Sequence, residues 1–198
     1  MTRPNITLVR HGQTEWSESL RHTGRTDIPL TDLGRRQAAA LGGMLFGEFS
    51  MILSSPLTRA WETMVAAGFE GKGVANDDLV EWDYGEHEGI TTNEIRREIP
   101  DWSVWTHPIE QGESLDDVGR RADRVIDLIL ESDGPVLIFA HAHILRIFGA
   151  RWVSLRPEDG RSLTLDTATV STLGWERENR VIRTWNIICH VDAEKRGS

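Results

Sequence analysis

The chain has 198 residues, of which 39% are hydrophobic and 27% charged, and its formal net charge is −9. This composition is typical of one globular domain and excludes disordered and membrane-spanning classes, since no apolar run approaches the roughly 18 residues of a membrane span. Because the charge is negative and basic tracts are missing from the sequence, we expect neither a nucleic acid partner nor a membrane partner. The start of the chain does not resemble a secretory signal, which favours the cytoplasm, and the single Cys189 favours a packed thiol.

Short β-branched runs alternate with segments whose apolar residues recur every three or four positions, which predicts an α/β domain. We predict strands at 5–10, 51–53 and 136–140. We predict helices at 31–48, 57–67 and 114–132, and a further helix after residue 141. Near the end of the chain, 169–175 and 181–188 are predicted to form a hairpin. The continuous apolar run at 136–140 is typical of a strand buried on both faces of a parallel sheet. We expect one domain over residues 1–198.

An irregular insertion is predicted at about residues 85–112, where periodicity is weak and bulky residues are frequent. Such segments commonly carry specificity, so we expect it to lie over the functional site. Four tryptophans lie in this insertion or near the motifs described below: Trp16, Trp82, Trp102 and Trp105. We expect at least one of them in the wall of that site. The acidic run at 110–117 is interpreted as a solvated face.

Three predicted strands are followed by side chains suited to binding an anion. Arg10 and His11 follow the first strand, and Arg59 follows the second after a short loop. His141 follows the strand at 136–140. Ligands of open parallel sheets bind beyond the carboxyl ends of the strands, so we expect these side chains to meet in one cleft. Arginine presents a planar set of donors that matches phosphate oxygens, which favours a phosphate ester as the ligand.

Five blocks of sequence occur in a characteristic order: 8–14, which contains Arg-His-Gly, then 24–34, 54–63, 79–89 and 139–141. Together they resemble the motifs of the histidine phosphatase superfamily, which includes the cofactor-dependent phosphoglycerate mutases. The resemblance implies a three-layer α/β/α fold with a mostly parallel central sheet. It also implies that His11 is a nucleophile that becomes phosphorylated and that Glu81 donates a proton to the leaving oxygen. The residues implied to bind phosphate are Arg10, Arg59 and His141, with Thr23 and Gly24 as secondary contacts.

The sequence departs from the family pattern at two positions. Ser17 stands where the first block usually has an asparagine, and its hydroxyl reaches less far toward a phosphate. Ala142 stands where a glycine normally follows the second histidine, and its backbone N–H is the group expected to contact phosphate. We keep both residues as predicted phosphate ligands.

Three reactions are compatible with these residues. The first is a phosphatase without cofactor or metal that acts on small phosphorylated metabolites, and local features such as 102–105 and 112–114 resemble the branch with broad acid phosphatases and sugar bisphosphatases. The second is a phosphoglycerate mutase, although residues 88–113 are short for the mutase insertion and offer Arg96 and Arg97 as their basic residues. The third is a metal-dependent hydrolase that uses His141 and His143. Because dimers are common among family members, a homodimer is also an expectation.

Overall fold

A computed structural model describes residues 3–188 and forms one sheet of six strands. The strands are β1 Ile6–Arg10, β2 Met51–Ser54, β3 Val74–Ala75, β4 Val136–Ala140, β5 Thr169–Glu176 and β6 Asn179–Ile188. Their order in the sheet is β3-β2-β4-β1-β5-β6. The prediction for Cys189 falls outside the described residues.

The sheet is mostly parallel, as predicted. β3, β2, β4 and β1 run parallel to one another, while β5 pairs antiparallel with β1 and with β6. The β5–β6 hairpin closes that edge and confirms the predicted hairpin. All five residues of β4 are buried, because helices cover both faces of the sheet at this strand.

Six α-helices surround the sheet in the described part of the chain: α1 Glu15–Glu18, α2 Asp32–Leu41, α3 Thr58–Met64, α4 Thr92–Ile95, α5 Leu115–Leu130 and α6 Ala142–Trp152. Side chains of α5 and α6 pack with Ile138 on one face of β4. Side chains of α2 and α3 pack with Leu137 and Phe139 on the other face. The alternation of side chains along a strand therefore produces the predicted three layers.

Two predicted helices have different boundaries in the structure. The helix predicted at 31–48 ends at Leu41, with Gly42 as its C-cap and Gly43 directly after it, because glycine is a poor helix former. The helix predicted at 57–67 is α-helical over Thr58–Met64 and is followed by a π-helical turn over Val65–Phe69, in which Gly68 leaves helical backbone with a φ of +94°. The α5 helix agrees closely with its prediction, and the Ser114 side chain accepts a hydrogen bond from the Asp117 N–H at its start.

The strand register places the motif residues at one edge of the sheet. Arg10 pairs with Ala140, and Ser54 pairs with Phe139, so the carboxyl ends of β1, β2 and β4 lie side by side. His11 and His141 are the first residues beyond two of these strands. The predicted convergence of the strand ends is confirmed.

The segment 85–112 contains a 3₁₀-helix at Gly85–His87 and the short helix α4, whose N-cap Thr91 forms a capping box with Glu94. The remainder of the segment is turns and loops. Within residues 3–188, no helix is both long and apolar enough to cross a membrane.

Truncation of a residue in β4 tests the two-sided burial of this strand. Ile138 is fully buried, and we expect Ile138→Ala to lower the free energy of unfolding by about 3 kcal/mol because it leaves a cavity between the sheet and α5. The matched control Ile187→Ala truncates an isoleucine of β6 that is 44% exposed, and its effect should be under about 1 kcal/mol. Urea unfolding measures both, and equal losses would contradict this description of the core.

Candidate active site

A cleft of about 360 Å³ opens at the carboxyl edge of the sheet. This volume suits a small molecule. The side of the cleft nearest the strands is formed by Arg10, His11, Glu81, Ala142 and His143. The remaining lining residues are mostly hydroxyl, amide or basic: Ser17, Leu20, Arg21, His22, Thr23, Tyr84, Thr91, Thr92 and Asn93. Glu81 is the single acidic residue among them, although the whole chain is strongly acidic.

His11 is held in one tautomer at the base of the cleft. Its Nδ1 lies 2.7 Å from the carbonyl oxygen of Gly12, so Nδ1 carries the proton and donates it, and Nε2 keeps its lone pair. Burial, with the charges of Arg59 and Arg10, holds the pKa of His11 well below its usual value. A neutral imidazole with a bare Nε2 is the form required of a nucleophile.

Arg59 and His141 lie behind His11 and are fully buried. The Arg59 Nε–H donates to Nδ1 of His141 at 3.0 Å, so Nε2 of His141 must carry the proton and donate to the Ser55 hydroxyl at 2.8 Å. Burial, followed by the charge of Arg59, holds the pKa of His141 well below its usual value, which agrees with this neutral tautomer. The His11 and His141 rings have centroids 5.1 Å apart. Neither Arg59 nor His141 lines the cleft, so direct phosphate contact by these two residues stays a prediction.

The remaining donors of Arg59 hold the chain that borders the cleft. Its Nη1 donates to the Thr26 carbonyl at 2.9 Å, and its Nη2 donates to the carbonyls of Thr23 and Gly24 at 3.1 and 2.9 Å. Gly24 has no room for a Cβ, which would meet the Trp82 carbonyl at 2.3 Å. The structure therefore places Gly24 beneath the cleft wall, where its carbonyl anchors Arg59, and places Thr23 in the lining itself.

Arg10 is the arginine that reaches the cleft from β1. Its Nη1 donates to the Leu165 carbonyl, which fixes the side chain. Its Nε is buried and has no hydrogen-bond partner among residues 3–188. Buried donors are almost always satisfied in proteins, so this N–H points to an anionic ligand as its partner.

Glu81 lies opposite, with its carboxylate at the start of α6. Its Oε1 accepts hydrogen bonds from the N–H groups of Trp82 and Ile144, both at 2.9 Å, and its Oε2 accepts one from His143 N–H at 2.9 Å. These contacts fix the carboxyl group within the cleft, beside the predicted nucleophile. Ala142, the first residue of α6, also lines the cleft, and the phosphate contact of its backbone N–H stays a prediction.

Arg121 on α5 holds the backbone that carries Glu81. Its guanidinium donates to the carbonyls of Asp78 and Val80 at 2.8 and 2.6 Å, and it pairs with both carboxylate oxygens of Glu113 at 2.6 and 2.7 Å. The two side chains are 8% and 14% exposed. The interpretation of 110–117 as a solvated face is therefore wrong at Glu113. Sequence reasoning missed this pair although its members are eight positions apart, because Glu113 precedes α5 and nothing in the local pattern shows that it turns back toward Arg121.

Ser17 lines the cleft, but its hydroxyl takes part in a capping box at the start of α1. It donates to the Thr14 carbonyl at 2.9 Å and accepts from Thr14 N–H at 2.8 Å. The hydroxyl of Thr23 donates to the Arg21 carbonyl at 3.1 Å. Their phosphate contacts stay predictions, and both hydroxyls already have protein partners.

Sequence reasoning also missed Tyr84, which is buried in the cleft wall, and Arg21, which lies at the cleft surface. Tyr84 sits within the fourth motif block, so its position was a usable signal. The tryptophan expected in the wall does not line the cleft: Trp82 and Trp102 are buried behind it. Trp102 packs edge-on against His22, which occupies the wall instead.

His141 and His143 do not act as a pair. His141 bonds to Arg59 and Ser55, whereas His143 Nδ1 lies 2.6 Å from the Tyr84 hydroxyl. Among residues 3–188, no group of three or more His, Cys, Asp or Glu side chains is arranged to hold a metal ion. The side-chain arrangement therefore gives the metal-dependent reading no support.

The buried histidines predict a loss of stability in acid. Burial, followed by the charge of His87, lowers the pKa of His22 to about 4. Between that value and its usual one, the unfolded chain binds a proton at His22 that the folded chain does not, so stability falls as the pH falls. When the pH falls from about 7.5 to about 5, the free energy of unfolding should decrease by about 2 kcal/mol because of His22 alone. Guanidinium unfolding of wild type and His22→Phe at both pH values measures this, and identical losses in the two proteins would refute it.

The Arg121–Glu113 pair predicts a large effect of a single substitution. Arg121→Met removes the two-bond partner of the Glu113 carboxylate, whose remaining ion pair, with Arg25, is 3.9 Å long, and it removes the donor to two buried carbonyls. The free energy of unfolding should therefore fall by about 3–5 kcal/mol. Arg124→Met is the matched control on the same helix, because Arg124 pairs with Asp78 at the surface and should cost under about 1 kcal/mol. Denaturant unfolding of both variants measures these changes. If Arg121→Met lowers the free energy of unfolding as little as Arg124→Met does, the Arg121–Glu113 pair is dispensable for stability.

The comparisons with known proteins agree with this geometry. A model of the histidine phosphatase superfamily (branch 1) matches residues 6–188. An acid phosphatase of Mycobacterium tuberculosis is 40% identical over 191 residues, which cover 93% of this chain and 93% of the relative. Sedoheptulose 1,7-bisphosphatase of Saccharomyces cerevisiae is 36% identical over 186 residues, which cover 77% of this chain and 68% of the relative.

A solved structure of an open reading frame product from Mycobacterium tuberculosis has a TM-score of 0.87 at 38% identity, and the match covers 96% of this chain and 100% of that one. The fold predicted from the motif blocks is therefore confirmed. These matches also confirm the resemblance, and the chain belongs to branch 1 of the histidine phosphatase superfamily.

Proposed function

We propose that the protein is a phosphomonoesterase that needs no metal or cofactor and that hydrolyses small phosphorylated metabolites, sugar phosphates included, through a phosphohistidine on His11. The observation that carries the proposal is the state of His11: a buried neutral imidazole, with Nδ1 bound to the Gly12 carbonyl and Nε2 bare, in a cleft with Arg10 and Glu81. The names of the relatives, an acid phosphatase and a sugar bisphosphatase, support the same substrate class.

The reaction proceeds in two displacements. In the first, Nε2 of His11 attacks phosphorus, the bond from phosphorus to the ester oxygen breaks, and Glu81 donates a proton to that oxygen. In the second, Glu81 takes a proton from water as the water oxygen attacks phosphorus and the bond to Nε2 breaks, which releases phosphate. The guanidinium of Arg10, with its unsatisfied Nε–H, stabilises the negative charge on the phosphoryl oxygens in both steps.

A phosphoglycerate mutase would share these residues but would also need basic groups for a substrate carboxylate. The basic residues of the segment 88–113, Arg96 and Arg97, do not line the cleft, and Arg96 donates to the Trp102 carbonyl instead. Arg21 does line the cleft, but it donates to the Gly89 carbonyl. This observation favours transfer of the phosphoryl group to water.

Phosphorus NMR separates these reactions. The protein is incubated with chelator, 3-phosphoglycerate, a trace of 2,3-bisphosphoglycerate and a sugar bisphosphate. We expect inorganic phosphate to accumulate. Conversion to 2-phosphoglycerate without phosphate release would make the protein a mutase, and activity that returns only with a divalent metal would support the metal-dependent alternative.

Removal of the nucleophile should abolish turnover. We expect His11→Ala to lower kcat for p-nitrophenyl phosphate by more than about 10⁴-fold, because no other group supplies the first displacement. His107→Ala, which removes a histidine that does not line the cleft, is the control. Circular dichroism checks that both variants fold, and a near-normal rate in His11→Ala would refute the assignment.

Glu81→Gln should act according to the leaving group. An alkyl phosphate has a poor leaving group and should lose about 10²- to 10³-fold in kcat, whereas p-nitrophenyl phosphate, with an acidic phenol, should lose much less. Glu86→Gln neutralises an exposed carboxylate in the same segment and serves as the control. Equal losses on the two substrates would show that Glu81 is not the proton donor.

A further inference from the structure

His143 presents a free hydrogen-bond donor to the cleft. It is the second residue of α6, and its backbone N–H donates to Glu81 Oε2 at 2.9 Å, so it lies directly beside the predicted proton donor. His143 also lines the cleft. Its Nε2 has no hydrogen-bond partner among residues 3–188 and keeps some access to solvent.

The Tyr84 hydroxyl determines which nitrogen of His143 carries the proton. The hydroxyl lies 2.6 Å from Nδ1, and within residues 3–188 it has no other partner to which it can donate. A buried hydroxyl donates where an acceptor is present, so Tyr84 donates to Nδ1. Burial, followed by the charge of Glu81, raises the pKa of Tyr84 well above its usual value, which keeps its proton in place. The proton of the neutral His143 ring therefore resides on Nε2.

Three aromatic rings fix the orientation of this donor. The His143 ring packs edge-on against Trp82, Tyr84 and Trp105, with centroid distances of 6.1, 5.8 and 5.1 Å. The Arg146 guanidinium lies over the Trp105 ring, 4.6 Å from its centroid, and packs against it. A donor held in this way costs little conformational entropy when it binds a ligand.

We infer that His143 is a specificity-determining residue whose Nε2–H donates to a hydroxyl oxygen of the substrate, close to the ester oxygen. The neutral His143 ring offers a hydrogen bond but no compensating charge, so a neutral hydroxyl is a better acceptor at this place than a carboxylate. The Thr23 hydroxyl lines the same cleft and, because it already donates to the Arg21 carbonyl, is left to accept a hydrogen bond from a further substrate hydroxyl. The site therefore selects phosphate esters of polyols, an inference that rests on the proposed phosphatase function.

A matched pair of substrates isolates this contact. sn-Glycerol 3-phosphate and n-propyl phosphate have the same carbon chain and differ in two hydroxyls, one of them next to the ester carbon. We expect wild-type protein to prefer the glycerol ester by about tenfold in kcat/KM, and His143→Phe to reduce this ratio to near one. His143→Gln keeps an N–H donor at similar reach and should restore most of the preference.

The control variant His107→Phe changes a histidine outside the cleft and should keep the wild-type ratio. Tyr84→Phe frees the His143 tautomer and should give an intermediate ratio. If His143→Phe slows both esters equally and the ratio persists, His143 is merely structural and the inference fails while the phosphatase stands. If wild-type protein releases phosphate from neither ester nor from p-nitrophenyl phosphate, the proposed function fails and the inference with it.

Discussion

The buried guanidinium of Arg59 is the group on which the rest of the site depends. A cation removed from water is costly unless its donors are satisfied, and here they are satisfied by His141 and by the carbonyls of Thr23, Gly24 and Thr26. Those bonds join α3 to the end of β4 and to the loop that borders the cleft. One side chain therefore fixes both a histidine tautomer and the position of the cleft wall.

The same cation explains how an acidic protein keeps neutral imidazoles around an anion site. Burial and the charges of Arg59 and Arg10 hold the pKa values of His11 and His141 well below normal. A positive charge on either imidazole ring would be repelled by the arginines. The rings therefore stay neutral, and the guanidinium groups carry the positive charge of the site. The division suits the proposed chemistry, in which arginine binds phosphoryl oxygens and His11 supplies an electron pair.

Much of this arrangement could be predicted from the sequence, because local signals determined it. The apolar run of β4 and the side chains that follow the strands predicted a parallel sheet with Arg10, His11, Arg59 and His141 at one edge, and the family resemblance implied that Glu81 joins them. Arg59 and His141 lie behind the cleft and not in its lining. The end of α2 at Leu41 was not predicted. Apolar residues continue at helical spacing past Gly42, and this periodicity predicted a longer helix in spite of the glycines. The hydrogen bonds of the His141 ring could not be predicted either, because its partners are side chains from separate elements of the fold.

The pairs Arg121–Glu113 and Tyr84–His143 show the same limit more sharply. Glu113 and Arg121 lie eight positions apart across the start of α5, and Tyr84 and His143 lie 59 positions apart. In neither pair does the type of one residue reveal its partner. Composition suggested that Glu113 belonged to a solvated face, whereas the fold brings a buried arginine to it. These two pairs position Glu81 and the cleft wall beside it. The contacts that adjust the geometry of the site could therefore be identified only from the structure.

The central claim is that His11 carries a phosphoryl group during turnover. Protein mixed with p-nitrophenyl phosphate is quenched rapidly in alkali, digested with trypsin and analysed by mass spectrometry. The peptide of residues 11–21 contains His11 as its single histidine. The account predicts that this peptide gains one phosphoryl group, which mild acid removes. An acid-stable phosphoryl group on it, a phosphoryl group on another peptide, or turnover with no phosphorylated peptide at any quench time would contradict the account.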